Sequence, residues 1–299
     1  MATVTSARRS VLPFAKRISR RRRIRGGDIA AVAMLVPLSA MFLYPFAWIF
    51  STAVMPPTVN PYLFPPRLLP WLHGWAPTLA HFRELASTFP FFLFLANSLI
   101  YVVGQIVPML LICSMAGYAL ARWRFPGRDV IFTLILATFI IPGEVTLIPG
   151  YLVVRAIMGV DNYQCLIVPA WVSTFTIFLM RQAFLGLPGE LEDSATVDGA
   201  NEFRTYAQIM LPLVKPTLAF AAVTAFAGTW GDFMGPLIYL KSQKYFPVTL
   251  GILMLNSAFY GSFNLICAGM VFSALPIGLV FLFAQKYFVR GLAEGAIKG

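Results

Sequence analysis

Six long stretches of this chain carry almost no charge. Residues 29–54, 85–121, 162–180 and 245–285 have none, 130–154 has only Glu144, and 216–240 has only Asp232. A helix needs about 20 mostly apolar residues to cross a bilayer. The runs are continuous rather than alternating, which separates them from the short strands of a membrane barrel. Trimmed of loops, they predict helices near 29–52, 91–120, 130–152, 162–182, 214–239 and 264–287. The pattern reads as an all-α integral membrane protein with six transmembrane helices.

Composition agrees: 59% of the 299 residues are hydrophobic and 12% charged, against about 25% charged in soluble domains. The net charge of +11 raises the question of a nucleic-acid partner. Its distribution answers it. Residues 1–27 form a basic tail with nine Lys/Arg and no acid, directly before the first span. Such a cluster reads as an anchor on anionic membrane lipid, not as a nucleic-acid site. Counting the tail and alternate loops, eighteen Lys/Arg fall on one side and five on the other. The positive-inside rule then places both termini in the cytoplasm. The first uncharged run, 26 residues long, exceeds the 7–15 residues of a signal-peptide core, so it is expected to stay as a span.

The remaining chain, 28–299, reads as one six-span domain. An outer loop over 53–90 is rich in Pro and aromatics, including Pro65, Pro66, Pro70 and Trp71, and holds both histidines, His73 and His81. It reads as a rigid fold-back, proline-rich turns needing no external partner. A second outer segment, 240–263, is apolar enough to lie against the membrane. Cys113, Cys165 and Cys267 sit at no metal-ligand spacing and read as packing residues. No catalytic residue and no metal site is expected. No G-x-x-x-x-G-K-S/T phosphate loop is present; "GLAEGAIKG" at the end follows no strand.

One segment breaks the apolar pattern. "PGELEDSATVDGANEFRTYAQIMLP", residues 188–212, holds five of the twelve acids: Glu190, Glu192, Asp193, Asp198 and Glu202. Pro188 suits a helix start, where acids in the first turn meet the positive end of the dipole. Gly199 suits a terminator, and Asn201 an N-cap for a second stretch to about Met210. Leu191, Ala195 and Val197 are expected on one small face. Pro212 and Pro216 then redirect the chain into the fifth span. A helix–turn–helix on the cytoplasmic surface and a solvated acidic loop both fit these residues.

The segment resembles the cytoplasmic EAA loop of bacterial ABC importer permeases, in which Glu-Ala-Ala is followed by three residues, Gly, and then Ile-x-Leu-Pro. Here Asp193, Ser194 and Ala195 stand for the triplet, Gly199 for the glycine, and Ile209 to Pro212 for the ending. Asp replaces Glu and Ser replaces Ala. "NSLIYVVGQ", "AGYALARWRFPGRD", "IPGEVTLIPGY", "FLMRQAF", "WGDFMGPLIY" and "QKYFVRGLAEGAIKG" also resemble the carbohydrate-uptake branch, the maltose and glycerol-phosphate types. Members often have Asn where this chain has Gly231.

The resemblance implies the type I ABC importer permease (MetI-like) fold in the bacterial inner membrane, carrying a sugar, oligosaccharide or related polyol. It implies a second, homologous permease, two ATPase subunits that bind ATP and Mg, and an extracytoplasmic solute-binding protein; this chain needs no cofactor of its own. The loop over 186–213 becomes the coupling element, with Glu190, Glu192, Asp193, Ser194, Ala195, Asp198, Gly199 and Ala200 facing the ATPase. Either Asp193 or Glu192 is the docking carboxylate. For the substrate path, an ionisable group within a span usually faces a cavity. Glu144, flanked by Pro142 and Pro149, is the first candidate and Asp232 the second, with Trp230, Asn97 and Gln105 as possible sugar contacts. Head groups or the second permease are the competing neighbours of Glu144 and Asp232.

Overall fold

The computed structural model describes residues 26–62, 72, 74–258 and 262–296. The basic tail before Gly26, the loop residues Pro65, Pro66, Pro70, Trp71 and His73, and the last three residues lie outside the described residues. The chain divides into two units, 1–46 and 47–299. In the first, α1 (Gly26–Ala53) begins; its large side chains there, such as Met34 and Phe42, are exposed. A helix apolar on every side is stable in hydrocarbon rather than in water.

The second unit is all helix and loop among the described residues. After the end of α1 come α2 (Ala80–Thr88), α3 (Phe91–Arg122), α4 (Arg128–Ile140) and α5 (Gly143–Ile157). A short α6 (Gln164–Ile167) runs through a 3₁₀ turn into α7 (Thr174–Leu185). Then follow α8 (Glu190–Val197), α9 (Glu202–Arg204), a π-helical turn over Thr205–Met210, and α10 (Leu211–Leu213). The chain ends with α11 (Lys215–Gly231), α12 (Met234–Tyr239), α13 (Val248–Ala258) and α14 (Phe263–Ala296).

By length and composition four stretches can cross a membrane: Ala31–Ala53, Phe91–Arg122, Gln164–Leu185 and Phe263–Ala284. Two bent pairs bring the number to as many as six, if each pair counts as one span. One is α4 with α5, turned by 106°. Pro142 lacks a backbone donor, and Ile141 before it is extended (φ −79°, ψ 119°), as a residue preceding proline prefers. The stretch expected as one helix over 130–152 is therefore two, while Pro149 stays inside α5. The other pair bends by 76° between Leu213 and Lys215, where Pro212 and Pro216 stand. At its far end α11 stops at Gly231, and α12 restarts beyond Asp232 rather than continuing one helix to 239.

The core is built around α3. Its Phe91, Ile106, Met109, Cys113 and Leu120 pack with Ile177 of α7, Phe226 and Trp230 of α11, Leu255 of α13 and Leu265 of α14. The second outer segment thus turns its apolar face to protein. Close approach of α3 and α7 needs Gly117: a Cβ there would lie 2.7 Å from Met180 Cβ and 2.9 Å from the Arg181 backbone nitrogen. With 32 residues, α3 is about 48 Å long, against a hydrocarbon core of about 30 Å. The helix is therefore longer than a single crossing needs.

The far end is tied by polar contacts. Asp161, in the turn after α5, holds φ 62° and accepts from the backbone N–H groups of Lys241 and Ser242 and from the Ser242 hydroxyl. These donors, the Ser242 hydroxyl first, hold its carboxyl below the usual carboxylate range. His81, fully inside the protein, contacts the Met55 carbonyl at 3.1 Å, so the outer loop is pinned from within.

Candidate functional site

The acidic segment folds as two helices and a turn. Three acids, Glu190, Glu192 and Asp193, occupy the first turn of α8, where each gains about 0.3–1 kcal/mol from the helix dipole. The helix ends at Gly199, φ +75°, with Gly199 N–H donating to the Thr196 carbonyl and Ala200 N–H to that of Ala195. A left-handed glycine with such paired bonds satisfies the last carbonyls. Asn201 caps the next stretch, its side chain accepting from Arg204 N–H at 2.8 Å. The solvated-loop alternative is set aside.

The faces of α8 sort the acids. Ala195 is buried and Leu191 packs against the cluster of Tyr118, Phe184, Tyr206 and Met210. Val197, expected on that face, is 87% exposed. Two residues beyond Ala195 lies about 200° around a helix, so it points away. Glu192 turns inward: Tyr118 Oη donates to Oε1 at 2.9 Å, and Arg122 Nη1 stands 3.5 Å from Oε2. Glu202 accepts from Trp123 Nε1 at 3.1 Å. Glu190, Asp193 and Asp198 are exposed, while the Ser194 hydroxyl donates within the helix to the Glu190 carbonyl. A cleft of about 220 Å³ opens between α8 and α3, edged by Arg122, Trp123, Glu192, Asp193, Thr196, Ala200 and Glu202. Of the two adjacent carboxylates, Asp193 is presented outward and Glu192 is held by its own chain.

Tyr118 and Arg122 were not singled out by the sequence, although both lie in "AGYALARWRFPGRD". Nothing local signals that they meet a segment about 70 residues on.

The path candidates separate. Asn97 is fully enclosed: its Nδ2 donates to the Lys244 and Phe246 carbonyls, both at 2.9 Å, and its Oδ1 accepts from Tyr163 Oη. An amide so occupied holds the outer segment onto α3. Trp230 is also buried, stacked on Phe226 with Nε1 donating to the Ser273 carbonyl. Gln105 bridges the Leu166 carbonyl and the Thr229 hydroxyl. Asp232 is half-buried and accepts from Gly235 N–H, capping α12. Glu144, in the first turn of α5 just past the break, is exposed. Among the described residues, no three His, Cys, Asp or Glu gather as a metal site.

Comparison with known proteins places this geometry. The family model for the inner membrane component of binding-protein-dependent transport systems matches residues 113–294. The arabinooligosaccharides transport system permease protein AraQ of Bacillus subtilis (strain 168) is 37% identical over 209 residues, 70% of this chain and 74% of the relative. The sn-glycerol-3-phosphate transport system permease protein UgpE of Pectobacterium atrosepticum is 32% identical over 280 residues, 90% of this chain and 97% of the relative. Among solved structures, a chain of a bacterial ABC transporter involved in import of the acidic polysaccharide alginate superposes with a TM-score of 0.76 at 23% identity, covering 93% of this chain and all of that one. That likeness concerns the fold, and the fold is that of an ABC importer permease. A family match across α8 and most of the helical core, with relatives this similar along most of their length, leaves one conclusion: the chain belongs to the inner-membrane components of binding-protein-dependent transport systems.

Proposed function

We propose that the chain is the permease subunit of an ATP-driven importer for an oligosaccharide, sugar or related polyol, and that α8 is its coupling helix. The reading takes in a second, homologous permease, two ATPase subunits that bind ATP and Mg, and an extracytoplasmic solute-binding protein. It places both termini in the cytoplasm. The observation that carries it is the exposed acidic face of α8, with Asp193 free of the internal contacts that occupy Glu192. Arg122, Arg128 and Arg181 lie at that same end of the fold, as the positive-inside rule requires of a cytoplasmic surface. Asp193 supplies the charge that a basic residue on the ATPase meets, and Gly199 lets the chain turn without a side chain at the contact. When the ATPase subunits close on ATP, α8 moves with them and the spans alternate between inward- and outward-open forms.

Substrate class is supported by the names of the relatives, one an arabinooligosaccharide permease and one a glycerol-phosphate permease. The exposed Glu144 at the helix break is the side chain we assign to the solute path or to the second permease. The test is uptake of arabino-oligosaccharides and of sn-glycerol 3-phosphate into proteoliposomes. The complete complex with ATP should transport at least one of them, and the chain without ATPase subunits neither. Ion-gradient-driven uptake by the chain alone would overturn the reading.

A further inference from the structure

Two arginines at the inner end of the fold reach across each other. Arg122, on the last turn of α3, donates through Nη2 to the carbonyls of Phe184 at 2.7 Å and Leu187 at 2.6 Å, where α7 ends. Arg181, on α7, donates through Nε to the carbonyl of Leu120 at 3.2 Å, where α3 ends. Cations at a helix C-terminus meet the negative end of its dipole, so each helix closes the other's end. Both side chains are largely enclosed, 13% and 14% exposed.

Each arginine also has an outward arm. Arg122 holds Glu192 of α8, whose carboxylate is fixed on its other oxygen by Tyr118. Arg181 lies 3.8 Å from Asp129 and stacks its guanidinium 3.9 Å over the ring of Phe132, both on α4, the helix that leads to the break before Glu144. A planar guanidinium suits such a node, since it donates in several directions at once and stacks on an aromatic face. Two segments joined by a single exposed ion pair would slip against each other. Segments joined by a buried fork, two carbonyls and a phenol move together.

We propose that Arg122 and Arg181 are positioning residues that lock α8, α3, α7 and α4 into one moving body, with Glu192 as the strut through which the coupling helix pulls on α3. The inference rests on the functional reading above and assigns adjacent carboxylates opposite tasks: Asp193 grips the ATPase, and Glu192 grips the permease itself.

The test uses the full complex, with its own second permease and ATPase subunits, in proteoliposomes carrying Glu192→Ala, Tyr118→Phe or both. Co-purified ATPase, ATP hydrolysis and arabino-oligosaccharide or sn-glycerol 3-phosphate taken up per ATP are measured together. Glu192→Ala should keep the ATPase bound while solute per ATP falls by about five- to tenfold, a usual size for coupling between sites. Tyr118→Phe should lower the ratio less, and adding it to Glu192→Ala should change nothing further, because its acceptor is gone. Loss of bound ATPase in Glu192→Ala would show a docking residue and overturn the strut, as would an unchanged ratio or additive effects. A wild-type complex that hydrolyses ATP but moves neither solute would instead overturn the functional reading, and the strut with it.

Discussion

Gly199 separates two costs that a substitution usually mixes. Its φ of +75° is a left-handed conformation, yet a Cβ built there meets nothing within 4 Å. Any residue with a β-carbon therefore costs about 1–2 kcal/mol of backbone strain and no clash within the chain. Asn, which tolerates this region, costs less. Strain of that size lowers the melting temperature by a few degrees in a domain of this size. Volume beyond Cβ points out from the turn that follows α8, where only the ATPase would meet it. Gly199→Ala and Gly199→Leu should thus lose similar, small amounts of thermal stability as purified protein, with Gly199→Asn losing less. In the assembled complex they should part: Ala keeps most of the bound ATPase and transport, whereas Leu loses both. Thermal unfolding in detergent and uptake in proteoliposomes measure the two halves. Equal transport by the Ala and Leu variants would refute the contact, because strain alone cannot tell the two side chains apart.

Other residues make narrower tests. Asp193→Lys should weaken co-purification of the ATPase by about tenfold or more through charge reversal at an interface, while Asp193→Glu, which keeps the charge, should bind as the native chain does. Asp161→Asn keeps a residue at ease at φ 62° but weakens acceptance from Ser242; trypsin should then cut faster after Lys241 and Lys244. Because the Asp161 carboxyl is held below its usual range, its contribution is complete at neutral pH. It is lost only as pH falls through that lowered value, so hydrogen-exchange protection around 240–245, corrected for the intrinsic exchange rate at each pH, should stay constant from pH 8 to 5 and fall only at lower pH. Gly117→Ala forces a contact under 3 Å onto Met180 and the α7 backbone. It should cost about 1–3 kcal/mol of stability, read as a lower unfolding temperature, and unchanged stability would mean that α3 and α7 stand further apart.

Most of the membrane pattern was legible because it needs only local information. An uncharged run of 26 residues is long enough to span whatever surrounds it, and Gly199 and Asn201 act on backbone groups a few positions away. The 106° bend had a local signal in Pro142, but how far a broken helix turns depends on what packs against its halves. The opposite orientations of Glu192 and Asp193 were more legible than they looked. Ala195 is the small buried residue of α8; at 3.6 residues per turn Glu192 lies about 60° from it and Asp193 about 160°. Helix geometry alone turns one carboxylate in and the other out. Only its inner partners, Tyr118 and Arg122, needed the fold.

The internal partners of the path candidates teach the converse. Asn97 and Trp230 were set beside a cavity because a polar group among apolar neighbours asks for a partner, and a solute is one possible partner. The protein backbone is another, and it is always present. Leaving a buried amide unpaired costs about 1–3 kcal/mol per group, so a span that carries Asn pays for it or finds carbonyls. Here the carbonyls of Lys244 and Phe246 supply them, from a segment nearly 150 residues away. A polar residue inside a span is therefore weak support for a transport path until its bonds are counted. By that count Glu144 stands apart: it alone of the five path candidates is an exposed carboxylate, placed at the bend between α4 and α5. Neutralising it should alter transport without loosening the fold, whereas Asn97→Ala should loosen the outer segment whether or not any solute is present.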